Sequence, residues 1–339
     1  MPGPPLLQAF HGRRPGVLPV WFMRQAGRSL PEYREIRQGV SMLESCLRPE
    51  LAAEITLQPV RRHGVDAAVL FSDIMIPLKL AGVAVDIVSG VGPVVDEPVR
   101  TGSDVDRLVA HEAGDPAAVA EAVRLVVAEL GDTTPLIGFA GAPFTLAAYL
   151  VEGRPSRDHL AARTLMHAEP DTWRRLMEWA ADVTGQFLRA QVRAGARAAQ
   201  LFDSWAGALS LPDYTDHAAP YSARALSHLD GLEVPRVHFG TGTGELLVAM
   251  RDAGADVVGV DYRIPLDEAN RRLGGRTPLQ GNIDPAFLAA PWSVLERHVR
   301  DVVERGRTAP GHVVNLGHGV PPTTDPSVLT RIVELVHSL

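Results

Sequence analysis

The chain has 339 residues, 46% of them hydrophobic, and a formal net charge of −7. That content can build one large domain of the barrel type or two ordinary ones, and the acidic balance argues against a nucleic-acid binder, which normally carries a basic face. A single cysteine, Cys46, excludes an intramolecular disulfide and any multi-cysteine metal site.

Taken in chain order, the N-terminal 1–15 is expected to be flexible, and it lacks the basic start of a signal peptide. No later stretch reaches the roughly 18–20 apolar residues of a membrane span, so a soluble, cytoplasmic protein is expected. An apolar run at 17–22 reads as a buried strand and opens into Arg24, Arg28, Arg34 and Arg37, set against only Glu32 and Glu35. Guanidinium groups grip carboxylates bidentately and stay charged at any working pH, so this cluster suggests a polyanionic small molecule. The chain is rich in arginine throughout and has one lysine, Lys79, so a solvated loop remains the plain alternative.

Seven more apolar, β-branched runs follow, at 67–71, 136–139, 198–202, 234–239, 256–260, 277–280 and 313–316. Helical patterns lie between them at 49–63, 116–130, 170–194, 212–229, 244–253, 291–307 and 326–338. Several start with proline in the first turn, behind an acceptor such as Asp115 or Asp325. Strand and helix alternating in this way predict a parallel sheet covered by helices, best fitted by a single-domain (β/α)8 TIM barrel, with a doubly wound open sheet as the alternative. Residues 76–100 break the alternation and read as strands with Gly-rich turns, a hairpin insertion after the second barrel strand.

A barrel places its site at the C-terminal ends of the strands. The groups expected there are Arg24 and Arg28, Asp73, Tyr149, Ser204, Asp261 and Tyr262, the 281–285 segment and His318. Singly each has a plain explanation: Asp73 or Ser204 could cap a helix, Tyr149 could be half-buried core, and His318 could be a turn residue.

Pro19-Val-Trp-Phe-Met-Arg-Gln-Ala-Gly-Arg-Ser-Leu-Pro-Glu-Tyr-Arg34 and Gly138-Phe-Ala-Gly-Ala-Pro-Phe-Thr-Leu-Ala-Ala-Tyr-Leu-Val-Glu-Gly153 resemble the two signature segments of the uroporphyrinogen decarboxylase family. Phe71-Ser-Asp-Ile74, Phe202-Asp-Ser204, Gly281-Asn-Ile-Asp-Pro285 and Asn315-Leu-Gly-His-Gly319 resemble its remaining motifs, in the family's order and across nearly the whole chain. The resemblance implies a single barrel domain over 1–339, a homodimer, and cofactor-independent conversion of the four acetates of uroporphyrinogen III to methyls in haem biosynthesis. It also implies that Arg24, Gln25, Ala26, Gly27 and Arg28 bind substrate through two guanidinium groups and the backbone between them, with Arg37 close by. Asp73 would accept hydrogen bonds from the pyrrole N–H groups, and Tyr149, Ser204 and His318 would touch substrate. Asp73 and Arg24 are the expected catalytic residues, and the acid is Arg24, Arg37 or a water held by Tyr149 or His318. Tyr262 and Phe144 stand where tryptophan is common in the family.

Rival readings exist. The run Gly240-Thr-Gly-Thr-Gly244, with Asp261 further on, resembles the turn and ribose-binding acid of a Rossmann domain for a dinucleotide or S-adenosylmethionine. A cobalamin-linked barrel methyltransferase would need a cysteine–histidine zinc site that Cys46 alone does not supply. A Schiff-base aldolase would rest on Lys79, which is expected to snorkel from an apolar hairpin. A non-catalytic porphyrinogen carrier would share every motif.

Overall fold

The computed structural model describes residues 3–339. Its strands are β1 (Ala68–Val69), β2 (Val85–Val88), β3 (Gly92–Val95), β4 (Leu136–Gly141), β5 (Ala198–Asp203), β6 (Arg236–Gly240), β7 (Val257–Gly259), β8 (Leu279–Gln280) and β9 (His312–Val313). Seven of them form one parallel sheet in the order β1-β4-β5-β6-β7-β8-β9, and β2 pairs with β3 in a separate antiparallel hairpin. Helices alternate with the strands, as near-continuous apolar strands require.

The run at 17–22 does not form a regular strand. Val20 alone bridges Val314, with Trp21 N donating to Val314 O (3.2 Å) and Val314 N to Pro19 O (2.9 Å). On the opposite side, Asp66 N donates to Val20 O at 2.9 Å, and the Asp66 carboxylate accepts from Val20 N at 2.8 Å. The segment therefore touches both edges of the curled sheet. Its ladder stops early because side chains take over the next donors: Gln25 Oε1 accepts from Phe22 N and Asn315 Oδ1 from Met23 N, each at 2.9 Å.

Side chains fill the inside of the curl. Trp21 Nε1 donates to Gln280 Oε1 and Gln280 Nε2 to Gln200 Oε1, both at 3.1 Å, a chain that crosses between strands that are not neighbours. Phe202 meets Phe139 and Phe239 edge to face, at 5.2 and 5.9 Å.

Several expected elements shift. The 49–63 and 170–194 helices run as read, Pro49–His63 and Pro170–Ala194. Asp115 and Asp325 accept from Ala117 N and Ser327 N at 2.9 Å. The 212–229 helix is two, Leu211–His217 and Ala219–Ser227, because Pro220 starts a fresh first turn. Residues 76–80, read as strand, form the helix Ile76–Leu80, since Pro77 again sits where its missing N–H costs nothing; Lys79 projects from this helix rather than from a hairpin. The N-terminal stretch expected to be flexible holds the helix Pro5–Phe10, whose Leu6, Ala9 and Phe10 are buried; Met1 and Pro2 lie outside the described residues.

His312 on β9 is buried, with Nε2 2.8 Å from Gly281 O. Burial lowers its pKa to about 4. The unfolded chain titrates near 6.5, so between roughly pH 6.5 and 4 it takes up a proton that the fold refuses. Stability from this group is full above the unfolded pKa and declines as pH falls, by about 2 kcal/mol at pH ~5. Thermal melts at pH ~7.5 and ~5 should show a drop in Tm that His312→Asn reduces; an equal drop in both proteins would contradict the assignment.

Candidate active site

The turn after the first segment is held from inside. Gln25 is fully buried, and its Nε2 donates to Ala67 O at 2.9 Å while its Oε1 accepts from Phe22 N. The side chain thus serves to hold the turn, and the backbone N–H of residue 25 is itself donated to Phe22 O at 2.9 Å. Arg24 takes φ +61, a left-handed conformation unusual for a non-glycine residue and typical of constrained sites. Among the described residues, nothing accepts the N–H groups of Ala26, Gly27 and Arg28. Arg24 and Arg28 are exposed and have no ion-pair partner among the described residues, whereas surface arginines such as Arg224 and Arg305 are paired with Asp182 and Asp301. Two unpaired guanidinium groups beside open N–H donors make a ready anion site.

The chain leaving β1 runs through Phe71-Ser-Asp73. Asp73 Oδ1 accepts from Met75 N at 2.9 Å in the turn leading to Ile76–Leu80, so the helix-entry role and a site role coexist on one carboxylate. The group is partly accessible yet ringed by protein, and this burial raises its pKa above the usual 3.8, against the opposing pull of the Met75 N–H and the Arg24 charge. Arg24 leans the carboxylate toward ionisation, but desolvation outweighs it.

Tyr149, on the helix Pro143–Glu152 after β4, is buried. Its phenol is pushed up to about 12 by burial and then by Asp73, with Arg24 opposing, so it is a neutral donor. Its ring stacks on Trp205 at 3.7 Å, and Trp205 stacks on His159 at 4.1 Å. Sequence reasoning missed Trp205, although it directly follows the quoted Phe202-Asp-Ser204. Thr145 fixes this wall: its Oγ1 donates to Asp203 Oδ1 at 2.8 Å and accepts from Trp205 N at 3.3 Å. Ser204 lies in the same loop, where its carbonyl accepts from Thr241 Oγ1.

The last segment comes from the β9 end. His318 stands at the surface between Gly317 and Gly319, with a pKa lowered by partial desolvation of its ring and then by Arg24 and Arg263. A Cβ on Gly319 would stand 2.4 Å from Arg24 Cδ, and one on Gly317 2.3 Å from Tyr262 N. Gly319 therefore lets the loop close on Arg24, and Gly317 lets it close on Tyr262. Gly319→Ala is expected to displace the Arg24 side chain and raise KM about tenfold with the fold intact, read by steady-state kinetics beside a thermal melt; an unchanged KM would show that Arg24 needs no such seat.

Arg37 sits further back. Its Nη1 is 2.5 Å from Tyr33 Oη and 3.1 Å from Met42 Sδ, while Nη2 donates weakly to Val40 O. Cys46, buried nearby, has its thiol pushed well up by burial and by Asp73. Phe144 is wholly buried against Trp173, so its difference from the family's tryptophan falls in the core. Tyr262 is half-exposed with Arg263 over its ring at 4.6 Å.

The Rossmann reading fails on geometry. Gly242 N, the donor a phosphate would need, already gives its hydrogen to Asp261 Oδ2 at 2.6 Å, and the supposed ribose acid is buried and paired with Arg263. The turn also follows β6, an inner strand of a singly curled sheet.

The fold is a TIM-barrel-like α/β fold, with the partly accessible Asp73 carboxylate in the field of Arg24 beyond its strand ends. A family model for uroporphyrinogen decarboxylase matches residues 1–339. The chain is 71% identical to the uroporphyrinogen decarboxylase of Arthrobacter sp. (strain FB24), over 99% of this chain and 97% of the relative. It is 65% identical to that of Leifsonia xyli subsp. xyli, over 98% and 93%. Among solved structures it is similar to a methyltransferase from Methanosarcina mazei, at TM-score 0.81 and 20% identity over 98% of this chain and 97% of the other, a likeness of fold alone. The chain belongs to the uroporphyrinogen decarboxylase family, whose members are carboxy-lyases of porphyrin and haem biosynthesis.

Proposed function

We propose that this protein removes the four acetate carboxyl groups of uroporphyrinogen III, giving coproporphyrinogen III and four molecules of carbon dioxide, without a cofactor. The observation that supports the reading is the turn carrying Arg24 and Arg28, neither of them ion-paired among the described residues, against which the Gly319 loop closes, on a chain that matches the family model over residues 1–339. The fold is taken as a single (β/α)8 barrel closed by the Val20 segment as its first stave, with the β2–β3 hairpin inserted beside the mouth. The active form is a homodimer in the cytoplasm, and the partners include neither membrane nor nucleic acid; no helix among the described residues is long and apolar enough to cross a membrane.

Arg24 and Arg28, with the N–H groups of residues 26–28, take substrate carboxylates; Gln25 holds that turn in shape. Arg37 supports the rim through Tyr33. Protonation of a pyrrole ring carbon makes a cation that accepts the electron pair as the bond to the carboxylate breaks. The exocyclic methylene so formed takes a proton to become methyl and the ring proton leaves, so each cycle consumes one proton and releases one carbon dioxide. Asp73, through the oxygen not used by Met75 N, accepts the pyrrole N–H hydrogens and stabilises the cation; the low-dielectric floor strengthens this effect. Tyr149, Ser204 and His318 supply neutral polar contacts around the macrocycle.

Anaerobic incubation of purified protein with uroporphyrinogen, followed by mass spectrometry, should show stepwise loss of four carboxyl groups. Recovery of the intact octacarboxylate from a stable complex would indicate a carrier instead.

A further inference from the structure

Away from the cleft, His167, Asp213 and His217 place one nitrogen or oxygen each within 4.8 Å of one another. We propose that these three side chains bind a divalent first-row transition metal such as Zn²⁺. His167 lies in the last turn of the helix Leu160–Ala168, while Asp213 and His217 are four residues apart on one face of Leu211–His217. His167 Nε2 is 3.5 Å from Asp213 Oδ1, close to the roughly 3.3 Å that separates ligands around a tetrahedral ion with bonds of about 2.0–2.1 Å. The two imidazoles meet edge to face at 5.7 Å, and among the described residues neither ring has another hydrogen-bond partner.

The ligand-bearing helix is fixed at both ends independently of those side chains. Ser210 Oγ accepts from Asp213 N at 3.2 Å, and Trp173 Nε1 donates to His217 O at 3.1 Å. Such backbone anchoring lowers the ordering cost of binding. Two imidazoles and one carboxylate suit zinc, nickel or copper and leave a coordination position for water; magnesium and calcium prefer all-oxygen sets. Arg163, one turn before His167, is the cation such an ion would have to tolerate, and Asp213 supplies the compensating charge. The ion would join the two segments on either side of Trp205: His159, which stacks on it, immediately precedes one helix, and Trp205 itself precedes the other.

Isothermal titration of the full chain with ZnCl2, in a buffer that does not chelate metals at pH ~7.5, should show about one saturable equivalent and a zinc-dependent rise in Tm. His167→Gln and His217→Gln should each weaken binding at least about tenfold while leaving the metal-free melt in place, and MgCl2 should give no binding heat. Because His167 is exposed, its replacement tests the site without disturbing the core. Absence of saturable zinc binding, or zinc binding equally tight in both variants, would overturn the proposal.

Discussion

Asp73→Asn is expected to fold, melt no lower than the native chain and lose about 10²–10³-fold in turnover. Asparagine keeps the Oδ1 acceptor for Met75 N, so the entry to Ile76–Leu80 survives. What vanishes is the negative charge below the pyrrole nitrogens. Burial raises the Asp73 pKa, so its ionised form costs stability at any pH above the folded pKa, and that cost disappears once pH falls below the unfolded value. Removing the charge therefore relieves the fold at neutral pH while disabling the chemistry, the pattern expected of a strained functional group. The same shift moves the acid limb of the pH–rate profile above 3.8 for the native enzyme, and Asp73→Asn abolishes that limb. A variant retaining native turnover would remove Asp73 from the mechanism; one that unfolds would make its role structural.

Arg28→Ala is expected to raise KM about 10- to 100-fold while changing kcat only a few-fold, the loss of one charge-assisted grip of about 1.5–3 kcal/mol. Arg28 is exposed and has no ion-pair partner among the described residues, so truncation leaves no buried charge stranded and the melt should not move. The effect should shrink with rising salt because the site lies at the open mouth. A fall in kcat at unchanged KM would show that Arg28 acts on the transition state instead.

Much of the fold was legible in the sequence, because long helices with proline in the first turn and the apolar, β-branched runs between them announce themselves. The run at 17–22 misled because its apolar content resembles a strand, whereas Gln25 and Asn315 capture the ladder donors from positions that periodicity ignores. The short helix Ile76–Leu80 was hidden by apolar residues on both sides of Pro77. For the site, the motifs single out Arg24, Asp73 and Tyr149, and the neighbourhood of the three shows in the influence of Asp73 and Arg24 on the Tyr149 phenol. Gln25 sits inside the signature yet faces inward, and Trp205 sits one residue beyond a quoted motif yet forms the wall against which Tyr149 stacks. The grouping of His167 with His217 depends on how two helices cross, which no spacing along the chain encodes.

The most direct measurement is a structure of the complex with coproporphyrinogen, formed under anaerobic conditions. The macrocycle is expected over Asp73, with its pyrrole nitrogens within about 3.2 Å of the free carboxylate oxygen and side-chain carboxylates on Arg24 and Arg28. A macrocycle seated with its nitrogens turned away from Asp73, or bound elsewhere on the barrel, would contradict it.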